Sequence, residues 1–527
     1  MVLATVLVVA ASLAAPSVLD VAVPSPKPGP KPPVPVPPSP PATGALGLNL
    51  SSPNYYMQDR ALMNLAQGAT WGSQKPGVSG WQPFNPLQID ANGNIISLLP
   101  GEIGHLMLIP PEGAMGTSPT RIRCTWAGKG SLTAGGSVIG VSRSGGSSVE
   151  FNWVPSGAAK AKTAWLSLSQ TDKADPLRQI DCREKSASPT DLFSPAFLEQ
   201  LKGYQLLRFM DWQYTNANEP VTWATRVTPQ TLSQAGKLGM SIEYMVALAN
   251  QTKADAWFCM PWNADEDFVR RFAMYVRDNL AADRKVYVEM SNEVWNFGFP
   301  VTKQAQAEGL ARGLSKDPSE ALLRRYAEKS TWMNKIWADV FKAQPTRLVR
   351  LISTQNANPW VAEQVLKYAD TAANVDGLAT APYFGHATFA GPRKGVTDLN
   401  NIFAFLNADV DATIAKAMAN KAAARRYGKR YIAYEGGQHI VNPDEVPLVA
   451  AINRDQRMYG VYKKYLAAWR TQIGDVMTLF NSTGPISRYG AWGMREYSGQ
   501  PMAETPKRRA AVEYIGVAAA SDSATSE

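Results

Sequence analysis

Residues 286–298 read VYVEMSNEVWNFG. Val286, Val288 and Met290 alternate, which places them on one face of a strand. The strand then runs into Ser291, Asn292 and Glu293, with Trp295, Asn296 and Phe297 just beyond. A carboxylate beside an amide and an indole suits a plain core element badly, because buried polar groups need partners. The stretch reads as a strand that delivers functional side chains at its end.

Similar apolar runs recur along the chain. They are GLNL from Gly47, LKGYQLLRFMDW (201–212), SIEYMVAL (241–248), DAWFCMPW (255–262), RLVRLISTQ (347–355), VDGLATAPYF (375–384), RYIAYEGGQ (430–438) and a last one near RYGAWGM (488–494). Helical patterns lie between them. Asn263 can cap a helix whose first turn holds Asp265, Glu266 and Asp267, with Phe268, Phe272 and Val276 as its inner face. Asp317-Pro318 opens another, with Glu320 at capping-box spacing and Met333, Trp337 and Val340 as its buried stripe. Repeated strand–helix units with hydrophobic strands predict a parallel sheet covered by helices. Eight or nine strands predict an α/β fold closed as a (β/α)8 TIM barrel. An open doubly wound sheet is the alternative, but no glycine-rich phosphate loop follows an early strand.

The stretch from Trp81 to Arg183 has another character. GNIISLL, HLMLIP, TRIRCTWAG, GSVIGVS, SVEFNWV and KTAWLSLSQ are short, β-rich and separated by Gly, Ser and Pro. They predict an antiparallel β-sandwich-like domain inserted after the first barrel strand. The expected organisation is a signal-peptide-like segment (1–23), a Pro-rich linker (24–43), the first strand and helix of the barrel (44–80), the insertion (81–190), the remainder of the barrel (191–516) and a disordered tail (517–527). The run MVLATVLVVAASLAAPS suits an export signal and is short for a membrane span. The stretch PSPKPGPKPPVPVPPSPP (24–41) is a semi-rigid polyproline II spacer. Together they predict a secreted or cell-envelope protein.

Composition excludes several function classes. The 527 residues carry a net charge of +9, but Lys and Arg are scattered, with none of the basic runs interleaved with aromatics that a nucleic-acid groove needs. Cys124, Cys182 and Cys259, with His105, His386 and His439, have no metal-ligand spacing, so neither metal nor cofactor is expected. Cys124 and Cys182 share the β-rich segment and form either a disulfide or two core thiols. His105 reads as a sandwich histidine without catalytic duty.

In a (β/α)8 barrel the active site lies at the C-terminal strand ends. Arg208, Asp211 and Trp212 end one run, and Trp257, Pro261, Trp262 and Asn263 another. Asn292, Glu293, Trp295 and Asn296 follow, then Gln355, Asn356 and Asn358. Tyr383 and His386 sit in APYFGH, Glu435, Gln438 and His439 in YEGGQH, and Trp492 and Arg495 in AWGMREY. Glu293 and Glu435 are a carboxylate pair of the kind glycoside hydrolysis requires. Indole faces stack on sugars, and amides and Arg bind hydroxyls or orient carboxylates.

SNEVWN after VYVEM resembles the Asn-Glu signature of strand four in clan A glycoside hydrolases, which are retaining (β/α)8 enzymes. AYEGGQ resembles the strand-seven nucleophile segment, 142 residues beyond Glu293. LRFMDW is similar to the strand-two segment whose Arg holds the nucleophile, APYFGH to the strand-six segment, and AWG at Trp492 to the strand-eight tryptophan. The combination also resembles bacterial secreted proteins loosely labelled carbohydrate- or cellulose-binding. It covers roughly residues 47–71 and 195–515, and the β-rich insertion falls outside it.

The resemblance implies a glycosidase that cleaves β-glycosidic bonds of a polysaccharide with two glutamates. Glu293 is then the general acid/base, its proton held more tightly than usual. Glu435 is the nucleophile, kept ionised by Arg208 and Tyr383. Asn292 binds the sugar 2-hydroxyl. The implied substrate-binding set adds Asp211, Trp212, Trp262, Trp295, Asn296, His386, Gln438 and Trp492. Retention implies carboxyl groups about 5 to 5.5 Å apart. Two other functions use the same residues: a glycan-binding protein without turnover, and a transglycosylase that remodels an exopolysaccharide.

Overall fold

The computed structural model describes residues 45–54, 57–108, 119–143, 145–154 and 164–516. The expected signal segment, linker and C-terminal tail lie outside the described residues. Eight parallel strands close into a barrel in chain order: β1 (Leu46–Asn49), β2 (Leu206–Arg208), β3 (Asp255–Met260), β4 (Val286–Met290), β5 (Leu348–Ser353), β6 (Gly377–Thr380), β7 (Arg430–Ala433) and β8 (Met477–Leu479). β8 pairs back to β1, matching Gly47 with Thr478. The fold is a (β/α)8 TIM barrel with additional antiparallel sheets.

Strand alternation sorts the side chains into two layers. In β4, Val286, Val288 and Met290 face the helices, while Tyr287 belongs to the barrel interior. In β3, Ala256, Phe258 and Met260 face outward and Trp257 and Cys259 inward. By the same alternation Arg208, Glu289 and Tyr434 fall on the inner face. The barrel interior therefore carries charge near its C-terminal rim, where most barrels are filled with branched apolar residues.

The helices α1 (Pro195–Leu201), α2 (Ile242–Thr252), α3 (Glu266–Asn279), α4 (Pro300–Ala311), α5 (Pro318–Val340), α6 (Pro359–Lys367), α7 (Leu399–Arg426), α8 (Val446–Arg454), α9 (Arg457–Gln472) and α10 (Pro506–Ile515) surround it. Asp317 caps α5 through the amide of Glu320, and Met333, Trp337 and Val340 are buried. α3 is capped by Asp265, whose carboxylate accepts from the amide of Phe268. Asn263, the expected cap, instead reaches Asn218 and Gln304.

Three further sequence expectations fail. SIEYMVAL is helix, not strand: Ile242, Met245, Val246 and Ala249 are buried at helical spacing. The last barrel strand is Met477–Leu479 rather than RYGAWGM, which forms loop around an isolated Ser487–Gly490 bridge. Among the described residues no α-helix stands between β1 and the antiparallel strands; a 3-10 turn at Leu65–Gly68 lies there instead. Asn64 caps this turn at the amide of Ala66 and also bonds to Ile180 and Cys182, while Arg60 pairs with Glu184, so the segment is tied to the distant strand Arg178–Glu184. α1, arriving after the β-layers, buries Phe197 and Leu201 in the same core as Leu48 and Leu207.

Between β1 and β2 the chain builds two antiparallel sheets. One orders Arg178–Glu184, Thr120–Ala127, Ser148–Trp153 and Val138–Arg143. The other orders Gln82–Pro83, Trp71–Gln74, Ile103–Met107, Ala164–Thr171 and Gly130–Gly136. Their shared core contains Trp71, Leu106, Ile122, Phe151, Trp153 and Leu166. Cys124 and Cys182 face each other on paired strands and form a disulfide, while Cys259 is a buried free thiol. Among the described residues no helix is long and apolar enough to cross a membrane.

Candidate active site

Glu293 stands three residues past β4, on a turn where Ser291 and Glu293 have φ of 58° and 42°. Side chains seldom adopt this left-handed region, and its cost is about 1 to 2 kcal/mol per residue. Backbone held this way concentrates at functional sites. The half-buried Glu293 carboxyl is gripped at both oxygens: Tyr434 donates its hydroxyl to Oε1 at 2.9 Å, and Asn296 donates Nδ2 to Oε2 at 2.8 Å.

Glu435 stands two residues past β7 and is 5% exposed. Arg208 donates to its Oε1 at 2.7 Å and Tyr383 donates to its Oε2 at 2.9 Å. A short parallel pairing above the rim, Tyr383 with Gly437 and Phe384 with Gln438, locks the β6 and β7 loops together. The chain must turn closely there, since a Cβ on Gly436 would lie 2.6 Å from the Tyr465 hydroxyl.

Arg208 joins the two halves of the site. It is fully buried at the end of β2, and every guanidinium nitrogen is engaged. Nε donates to Glu289 at 2.8 Å, and one terminal nitrogen serves Asn49 at 3.0 Å and Glu435. The other serves Glu289 and, at 2.9 Å, Asn292. Asn292 is thereby fixed, and its Nδ2 donates to Asn216 at 3.0 Å. The guanidinium also lies over Tyr434, 4.9 Å from the ring centroid.

Burial outweighs the other influences on both carboxyls. It raises Glu293, against the hydrogen bonds from Asn296 and Tyr434. It pushes Glu435 up to about 8, and the neighbouring charge of Glu293 adds to the rise. Arg208 and Tyr383 oppose this without cancelling it. Burial thus favours a proton on the pair, and each carboxyl's charge raises the other. Of the two, only Glu435 touches the guanidinium, which favours the charge on Glu435 and the proton on Glu293. Burial also pushes Asp211, near Arg208, up to about 6.

The other expected residues divide. Trp295 and Asn296 lie half-buried in the Glu293 loop. Trp492 is half-buried against His439 and Phe480, and its Nε1 donates to His439 Nδ1 at 3.3 Å. Burial pushes His439 down to about 4, which leaves a neutral ring beside Tyr383.

Trp212 and Trp262 have no face open to a ligand. Trp212 is completely buried between Phe193, Phe197 and Phe209, and Trp262 donates to Glu308 at 3.1 Å within the helix layer. Gln438 is sealed, with its amide spent on Ala491 and Ile440. His386 is exposed beside Lys416, Asp409 and Arg393. Asn356 and Arg495 serve buried networks with Thr380 and Tyr431, and with Asp59 and Thr483. Replacing Trp212 by alanine is expected to lower stability by about 3 to 5 kcal/mol. Urea unfolding checks this, and a loss under about 1 kcal/mol would place the indole outside the core.

Sequence reasoning missed Glu289, Tyr434, Asn49 and Ser353. Glu289 had a signal: it sits on the strand face opposite Val288 and Met290. Tyr434 is adjacent to Glu435, yet its partner Glu293 is 141 residues away.

No family model and no curated protein matches this chain. Among solved structures it is similar to the GH51 arabinofuranosidase from Xanthomonas axonopodis pv. citri, at 13% identity and a TM-score of 0.39, over 57% of this chain and 63% of that one. It is also similar to a 4-O-alpha-L-rhamnosyl-beta-D-glucuronidase from Fusarium oxysporum 12S, at 12% and 0.37, over 59% and 62%. A third is the GH5-4 broad specificity endoglucanase from Clostridium acetobutylicum, at 12% and 0.35, over 62% and 91%. The match spans less than two thirds of each of the first two proteins. Likeness of this degree says nothing about activity.

Proposed function

We propose that this chain is a retaining glycoside hydrolase that cleaves β-glycosidic bonds of a polysaccharide by double displacement. The observation that carries the reading is the pair of carboxyls at the ends of β4 and β7. Each is held by a tyrosine hydroxyl, and only one is tied to a buried arginine.

In the first step Glu435 attacks the anomeric carbon as the glycosidic C–O bond breaks, and Glu293 gives its proton to the departing oxygen. In the second, Glu293 takes a proton from water, the hydroxide adds to the anomeric carbon, and Glu435 is released. Arg208 and Tyr383 orient Glu435, while Tyr434 and Asn296 orient Glu293. Asn292, fixed by Arg208, is offered to the sugar 2-hydroxyl. We place the carboxyl groups about 5 to 5.5 Å apart. Trp295, Tyr383 and Trp492 remain as rim aromatics for a cleft, and endo-action is proposed on them. Export belongs to the same proposal, resting on the apolar N-terminal run and the proline-rich stretch.

The test is release of reducing ends from β-linked glucans, mannans, xylans, galactans and a bacterial exopolysaccharide, with Glu293→Gln as control. Release by the wild type alone supports the reading. Binding of one polymer with no release would favour the glycan-binding alternative, and products longer than the donor the transglycosylase.

The pH dependence has a defined sign. Turnover needs one proton on the pair, and the last proton leaves near the raised value of about 8. kcat/KM should therefore hold through neutrality and fall about tenfold per pH unit above the alkaline limb. A limb near the ordinary glutamate value of about 4.3 would contradict the burial argument.

A further inference from the structure

Beneath the proposed catalytic pair lies a third glutamate that the mechanism above leaves unused. Glu289 is fully buried inside the barrel, four residues before Glu293. Its Oε1 accepts from Arg208 Nε at 2.8 Å, from a terminal nitrogen of Arg208, from Trp257 Nε1 at 3.1 Å and from Cys259 Sγ at 3.0 Å. Its Oε2 accepts from the Ser353 hydroxyl. Five donors from β2, β3 and β5 thus converge on one carboxylate that neither solvent nor substrate can reach.

We infer that Glu289 is a positioning residue for the proposed glycosidase: it fixes the guanidinium of Arg208 from below, takes up part of its positive charge, and so sets how strongly Arg208 acts on Glu435. The inference rests on the proposed function for its consequence in turnover, but not for its electrostatics.

Two carboxylates share one guanidinium, and Glu289 holds the larger share, accepting from two of its nitrogens where Glu435 accepts from one. An opposite charge within about 4 to 6 Å favours the ionised form of a carboxyl. A cation already neutralised from the other side does so less. Burial and the neighbouring Glu293 raise Glu435, and Arg208 is the group that opposes them, so a weaker Arg208 leaves more of that rise standing. The remaining titratable and charged groups facing this cluster are Glu293, Asp211, Cys259, Tyr326, Tyr383 and Tyr434. Arg208 is the one cation among them. Without Glu289 the full guanidinium charge acts on the catalytic pair, and both carboxyls ionise at lower pH.

The variant is Glu289→Gln. Its amide oxygen can still face Arg208 and its amide nitrogen the Ser353 hydroxyl, which preserves the shape. Ser353→Ala is the control: it loosens the same carboxylate without removing charge. Two readouts are taken from purified full-length protein. The first is the pH profile of kcat/KM on whichever polymer is cleaved. The alkaline limb of Glu289→Gln should move down by about one pH unit or more, with that of Ser353→Ala unmoved.

The second readout needs no turnover: the dependence of Tm on pH between 5 and 8. A carboxyl raised in the folded protein binds its proton more tightly than the unfolded chain does. Its stabilisation is complete below the unfolded value and is lost as pH rises through the folded one. The wild-type contribution is therefore lost up to about pH 8. In Glu289→Gln the loss should end at lower pH. If no polymer is cleaved by the wild type, the proposed function fails while the Tm curves still decide the role of Glu289. Parallel Tm curves for wild type and Glu289→Gln would overturn the inference. So would an equal shift in Ser353→Ala, which would mark a purely structural role.

Discussion

Replacing Glu435 by glutamine is expected to lower turnover by about 10⁴-fold or more while leaving glycan binding within a few-fold of wild type. The size of the effect follows from the role: without a carboxylate no bond forms to the anomeric carbon, and the reaction loses its two-step path. The specificity follows from the geometry. Glutamine keeps an oxygen for Arg208, and its nitrogen can donate to the Tyr383 oxygen, so the pocket keeps its shape. Steady-state rates and a binding isotherm on the same polymer separate the two quantities. Turnover within tenfold of wild type would remove Glu435 from the mechanism and turn attention to Asp211, a third raised carboxyl near Arg208.

Glu293→Gln should lower polysaccharide turnover by about 10²- to 10⁴-fold, the range that a positioned general acid contributes. Its signature is dependence on the leaving group. A sugar hydroxyl leaves poorly without a proton, whereas an acidic phenol leaves unaided. The loss on an activated aryl glycoside should therefore be at least about tenfold smaller in the first step than the loss on the polymer. An equal loss on both substrates would mean that Glu293 positions the sugar and transfers no proton. Tyr434→Phe should act in the same direction but more weakly, because Asn296 still holds the second oxygen.

The barrel and the two glutamates were legible because they depend on local signals. Val286, Val288 and Met290 alternate, and each glutamate follows such a run directly. The failures have physical reasons. SIEYMVAL carries apolar residues that satisfy a strand by eye, and only the burial of Ile242, Met245, Val246 and Ala249 reveals the helical period. Trp212 and Trp262 end apolar runs like rim residues, but an indole fills a core as well as it stacks on a sugar, and the sequence does not say which. Gln438 reads as a ligand-facing amide and is spent on the backbone of the Trp492 loop.

The contacts that hold the site join residues far apart in the chain. Arg208 reaches Glu435 across 227 positions, and Tyr434 reaches Glu293 across 141. Strand periodicity does place Glu289 on the inner face of β4, but its meaning depends on Arg208 and Ser353 arriving from neighbouring strands. The raised position of Glu435 was likewise out of reach, since it depends on how deeply the barrel buries the carboxyl and on the charge of Glu293 brought beside it.

The configuration of the first sugar released decides between double displacement and direct attack by water. Proton NMR on fresh digests of the cleaved polymer, read before mutarotation, distinguishes the anomers. Double displacement through Glu435 predicts the β-anomer first, with the α-anomer growing in only as the product equilibrates. Initial release of the α-anomer would mean that water attacks directly, and the assignment of Glu435 as nucleophile would fall.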